Sequence, residues 1–148
     1  MSIVMNINEP ETIAGVSAEL SAMASRLREI FTQILIATTP GGQTAGTCAY
    51  AVLLLKTMIE QYTDYNALPR GGDGLADGGY FDSAGKGHGH YWLEVRTCAG
   101  NFILDITADQ FGEAPVLVAD ADTCSNYVPG NQALVESHLA EIAMSLPV

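Results

Sequence analysis

From Cys48 to about Tyr62 the chain is apolar on nearly every side of a helix, with Ala49, Ala51, Val52, Leu53, Leu54, Leu55, Met58 and Ile59 leaving almost no polar face. A helix of that pattern has to be covered on several sides. The rest of the chain must therefore supply layers around it, and this helix is expected to be central.

Those layers are legible on either side. Between Ser17 and about Ala37, Leu20, Met23, Leu27, Ile30, Phe31, Ile34 and Leu35 recur at spacings of three and four. This predicts an amphipathic helix with Ser17 as its N-cap and one face in the core. Thr38 to Gln43, with Pro40, Gly41 and Gly42, is turn chemistry, and a new helix start follows at Thr44 or Thr47. Further on, Tyr91–Val95 and Phe102–Ile106 are rich in strand formers around Ala99-Gly100-Asn101, which predicts an antiparallel hairpin. Val116-Leu117-Val118 is a candidate third strand. Asn131 to Met144 predicts a closing helix with Leu134, Val135, Leu139, Ile142 and Ala143 on one side. Residues 66–89 hold eight glycines and little apolar rhythm, and are expected to form a long loop of the kind that is usually functional.

At 148 residues, 48% of them hydrophobic and 16% charged, the chain is expected to form a single domain with one core, residues 1–148. Seventeen acidic against six basic residues give a formal charge of −11, a surface that repels a phosphate backbone. Nucleic acid is excluded as an expected partner. The apolar run Ala49–Leu55 falls far short of the roughly 20 residues that span a bilayer, so no membrane span is expected. The opening residues lack the basic and apolar regions of a Sec-type signal, and a cytoplasmic location is the default expectation. Cys48, Cys98 and Cys124 cannot all pair with one another and none lies in a CxxC, so at least one thiol is free.

Of the three, Cys48 stands in the first turn of the central helix. Unpaired backbone N–H groups and the positive end of the helix dipole there favour a thiolate and point toward any oxyanion formed on a carbonyl it attacks. His90 opens the strand pattern in which His90, Trp92 and Glu94 share a face. In a hairpin with an even-numbered loop, paired residue numbers sum to an odd value, so Asp105 falls on the same face as His90. The register stays open. A loop centred between Thr97 and Cys98 sets Asp105 opposite His90, and a tight turn at Ala99-Gly100 moves it along by two residue pairs. A thiolate–imidazolium pair with an orienting carboxylate is the equipment of nucleophilic acyl transfer.

Gly46-Thr47-Cys48-Ala49-Tyr50 opening a helix, then Gly89-His90-Tyr91-Trp92-Leu93-Glu94-Val95, then Leu104-Asp105-Ile106-Thr107, resembles the papain-like superfamily in its transglutaminase-core form. The resemblance covers roughly residues 40–110. It implies an α+β fold in which a buried helix carrying the nucleophile at its N-terminus packs on a small antiparallel sheet. It also implies Cys48 as nucleophile, His90 as general base and acid, Asp105 as the orienting residue and Gln43 as an oxyanion donor, with no cofactor. Many members carry Trp directly after the cysteine, where this chain has Ala49. The implied activity is that of a cysteine peptidase, amidase or glutamine deamidase on a protein or peptide substrate. By analogy, such a domain also suits a bacterial effector exported without a Sec signal.

Other assignments compete. His88 lies two residues before His90 but lacks the spacing to Trp92; Asp109 is the fallback carboxylate if the register shifts. His138 reads as a surface residue of the last helix, and Cys98 and Cys124 as incidental thiols. A zinc module built from Cys48, His88, His90 and Cys98 or Cys124 is a rival of a different class, although the spacing matches no standard zinc pattern. A second rival is a catalytically silent member of the fold that binds a protein through the glycine-rich segment.

Overall fold

A computed structural model describes residues 12–38 and 47–145. The first helix, α1 (Ile13–Thr38), begins ahead of Ser17. It buries Val16, Leu20, Ala24, Leu27, Phe31 and Leu35, a single stripe at spacings of three and four. Ile30 and Ile34, expected in that stripe, are about half exposed, because each sits one position off the buried line. The second helix, α2 (Cys48–Tyr62), starts at the cysteine and has Thr47 at the N-cap position. It buries Ala49, Ala51, Val52, Leu55 and Ile59 while Tyr50 and Leu54 remain exposed, so its covering is less complete than its composition predicts. Burying a side chain such as Leu55 or Ile59 contributes about 1.5–3 kcal/mol. The helix ends at Thr63, whose N–H and hydroxyl both donate to the Ile59 carbonyl, at 2.9 and 2.7 Å.

The glycine-rich segment is where expectation and structure part. Residues 66–89 are not a loop but carry three strands, β1 (Asn66–Gly72), β2 (Gly79–Phe81) and β3 (Gly87–His88). Then come β4 (His90–Thr97), β5 (Gly100–Asp105), β6 (Leu117–Asp120), β7 (Tyr127–Val128) and α3 (Gln132–Ser145). One antiparallel sheet has the order β1-β4-β5-β6 and a smaller one the order β3-β2-β7. Pro69 lies within β1, which is an edge strand and can lack one N–H. The result is α+β, with three helices and two small antiparallel sheets among the described residues. No described helix is long and apolar enough to cross a membrane.

The larger sheet separates two cores. Leu93, Val95, Phe102 and Leu104 face a cluster shared with all three helices. Trp92 and Ile103, on the other face, pack with Tyr80 and Tyr127 from the smaller sheet. The β4–β5 pairing runs Thr97↔Gly100 to Leu93↔Leu104, so the hairpin turns at Cys98-Ala99 and Asp105 lies level with Trp92. This register falls midway between the two that the sequence left open. Its pair sum is odd, so His90 and Asp105 share a face as parity requires.

Candidate active site

Asp105 ends β5 with its side chain in the second core, 2% exposed, and all of its hydrogen bonds point inward. Its Oδ1 accepts from the Thr107 N–H at 2.9 Å and the Thr107 hydroxyl at 3.2 Å. Its Oδ2 accepts from the Tyr127 hydroxyl at 2.8 Å and from His90 Nε2–H at 2.6 Å. A buried carboxylate costs several kcal/mol of desolvation unless it is satisfied in this way. The same four donors fix where it points.

His90 is the first residue of β4 and pairs across the sheet with Gly72, so it stands at the sheet's end. Its ring is held between Trp92, stacked at 6.1 Å, and Phe111, edge-on at 4.9 Å. Burial by itself pushes the imidazole toward neutrality. The negative charge of Asp105, the hydrogen bond to it, and then the Cys48 thiol outweigh burial, and the His90 pKa rises from 6.5 to about 9. With Nε2 committed to Asp105, the free ring nitrogen is Nδ1. It is buried and has no hydrogen bond of ordinary geometry to the described residues.

Cys48 arrives at the same end of the sheet from the helix layer. It is partly exposed and free of any disulfide, and it lines one groove together with His90, Gly72, Gly89 and Tyr91. No acidic residue occupies the first turn of α2, so nothing on the helix itself competes for its N-terminal N–H groups. Cys48, His90 and Asp105, each expected from the sequence, are therefore brought together. Gln43 lies outside the described residues.

The competing residues are engaged elsewhere. His88 Nε2 bonds Asp82 Oδ2 at 3.0 Å, a separate pair on the small sheet. Asp109 is held by Arg28 through two 3.0 Å bonds, and the same guanidinium caps the Ile106 carbonyl at 2.7 Å. The fallback carboxylate thus ties α1 to the segment after β5. Cys98 is exposed at the hairpin turn, and Cys124, whose thiol burial pushes upward in pKa, sits beside the second core. Among the described residues no three His, Cys, Asp or Glu side chains form a group able to hold a metal. His138 is exposed, as read from the sequence, but it also lines the groove, where Nδ1 meets the Tyr91 hydroxyl.

Three residues of the site had no assigned role in the sequence. Thr107 clamps Asp105 Oδ1 through both its N–H and its hydroxyl. Tyr127, in β7, belongs to a polar stretch of sequence in which a lone aromatic is its only signal. Burial, with the charge of Asp105 added, drives its phenol far above the ordinary range, so it serves as a fixed neutral donor. Phe111 follows from no periodicity at all, since it lies in a short 3-10 turn at 108–111. Compared with known proteins, the chain matches no family model, no curated protein and no solved structure.

Proposed function

We propose that the protein is a cysteine-dependent amide-bond enzyme, a peptidase, amidase or glutamine deamidase, built on a papain-like or transglutaminase-like fold. The observation that carries this reading is the buried His90 imidazole. One nitrogen is fixed on Asp105 at 2.6 Å, and the other, without a hydrogen bond of ordinary geometry, is left to the Cys48 thiol that lines the same groove and adds to the rise in the His90 pKa. That is the arrangement a thiolate–imidazolium pair needs. The raised His90 pKa favours a proton on the ring, available for transfer.

In the proposed reaction the Cys48 sulfur attacks the amide carbonyl carbon, and the oxygen takes up negative charge facing the first N–H groups of α2. His90 gives its proton to the departing nitrogen, the C–N bond breaks, and a thioester remains on Cys48. Water then adds to the thioester as His90 takes a proton from it. The C–S bond breaks, releasing the carboxylic acid. Asp105 stays ionised throughout and keeps the imidazole in one tautomer and orientation.

Acylation by p-nitrophenyl acetate tests the reading without a known substrate. The expected result is a burst of one equivalent with the acetyl group mapped to Cys48, abolished in Cys48→Ala and slowed at least 100-fold in His90→Ala. Acetylation spread evenly over Cys48, Cys98 and Cys124, unaffected by His90, would leave a protein-binding module of the same fold as the better account.

A further inference from the structure

We propose that the groove over Cys48 selects amides that carry a lysine or arginine side chain beside the reacting carbonyl, and that Asp73 and Asp77 make the selection. The inference rests on Cys48 and His90 being the reacting pair and concerns what that pair is offered. Both aspartates line the groove together with Cys48 and His90, and none of the chain's six Lys and Arg residues does. Neither takes part in an ion pair among the described residues, where the pairs formed use Asp82, Glu94, Asp105, Asp109 and Glu60 instead.

Both carboxylates are fixed in place by main-chain donors. Asp73 Oδ1 accepts from Leu75 N–H at 2.8 Å and Asp77 N–H at 3.2 Å, and Asp77 Oδ1 accepts from Asn131 N–H at 2.8 Å. These contacts are made through Oδ1 of each aspartate. The bond from Leu75 N–H, first among several, holds the Asp73 carboxyl below its usual range, so it is charged at neutral pH. An acidic rim alone would be a solvated surface. What makes this one part of a site is the buried His90 Nδ1 in the same groove, which has no hydrogen bond of ordinary geometry.

The apolar lining decides which cation fits. Leu134 and Val135 of α3 line the same groove, and Leu134 is 61% exposed. Carboxylates and an aliphatic surface in one groove match a side chain with a methylene stem and a charged end. A bare α-ammonium would leave Leu134 uncovered.

The test uses the whole protein and the rate at which Cys48 reacts with methanethiosulfonates, one bearing a trimethylammonium group and one a sulfonate, with sites resolved by mass spectrometry. Exposed Cys98 reports the field of the whole acidic protein and serves as the internal reference. The expected cation-to-anion rate ratio at Cys48 exceeds that at Cys98 by about tenfold or more, since a cleft lined by one sign of charge focuses its field. In Asp73→Asn/Asp77→Asn, which keeps both Oδ1 acceptors, the ratio falls to that of Cys98; the single variants give a partial fall if the double variant does not fold. A ratio untouched by these substitutions overturns the proposal. Nα-acetyl-lysine methylamide should protect Cys48 better than its norleucine counterpart; equal protection, or better protection by norleucine methylamide with a free α-amine, overturns the side-chain assignment. Methyl methanethiosulfonate, which is neutral, separates the two levels, because equal Cys48 rates with and without His90 would remove the reacting pair itself.

Discussion

Tyr127 donates its hydroxyl to the same Asp105 oxygen that receives His90 Nε2–H, at 2.8 Å against 2.6 Å. The two donors divide one oxygen's negative charge, so the phenol sets how much of it the imidazole feels. Tyr127→Phe should therefore raise the His90 pKa above about 9 while costing about 1.5–3 kcal/mol of stability, the range for hydrogen bonds to a charged group. NMR titration of the imidazole gives the first value and urea unfolding the second. Lost stability with an unmoved titration would make Tyr127 a packing residue only.

The raised His90 pKa also predicts how stability depends on pH. The folded value, about 9, lies above the unfolded 6.5, so the native state holds the proton more tightly. That contribution is complete below about pH 6.5 and disappears as the pH rises through 9, on the order of 3 kcal/mol in all. Urea unfolding at pH 6 and pH 9.5 should show the decline in the wild type and a much smaller one in Asp105→Asn, where the main cause of the shift is gone. A flat wild-type profile would contradict the assigned pair.

Asp109 offers the complementary test, because its carboxylate is engaged by Arg28 and not by His90. Asp109→Asn should lower stability by about 1–3 kcal/mol, the cost of weakening a partly buried charge-assisted pair. The pH profile of Cys48 alkylation should not change. A shifted profile would mean that the second carboxylate acts on the site.

The glycines of the glycine-rich segment should differ in what they tolerate. Gly78 and Gly85 both have positive φ, +87° and +82°, but a Cβ at Gly78 would lie 2.3 Å from the Val128 carbonyl oxygen and one at Gly85 would meet nothing within 4 Å. Gly85→Ala should cost about 1–2 kcal/mol for the left-handed backbone alone. Gly78→Ala adds the clash and should cost about 2–5 kcal/mol. Equal small effects in thermal melts would mean that Gly78 is not packed against β7.

The same segment shows why part of the fold was hidden in the sequence. β1 contains Pro69, Gly71 and Gly72 and lacks an alternating apolar pattern, because β4 recruits it through main-chain bonds at an edge. Nothing in its side chains announces a strand. Elsewhere the side chains carry the information. The stripe from Leu20 to Leu35 marked α1, and Cys48 marked the first residue of α2. Parity placed His90 and Asp105 on one face although the turn at Cys98-Ala99 was not anticipated. Tyr127 and Phe111 reach His90 through tertiary packing across sequence separations that no local pattern encodes.

Cys48 and His90 are proposed to act as one ionised pair. The rate of Cys48 alkylation by iodoacetamide against pH, in wild type and His90→Ala, tests it most directly, with modified sites located by mass spectrometry. The expected result is alkylation of Cys48 at lower pH than exposed Cys98, and loss of that low-pH limb in His90→Ala. A Cys48 that is inert, or that titrates like exposed Cys98 whether or not His90 is present, would contradict it.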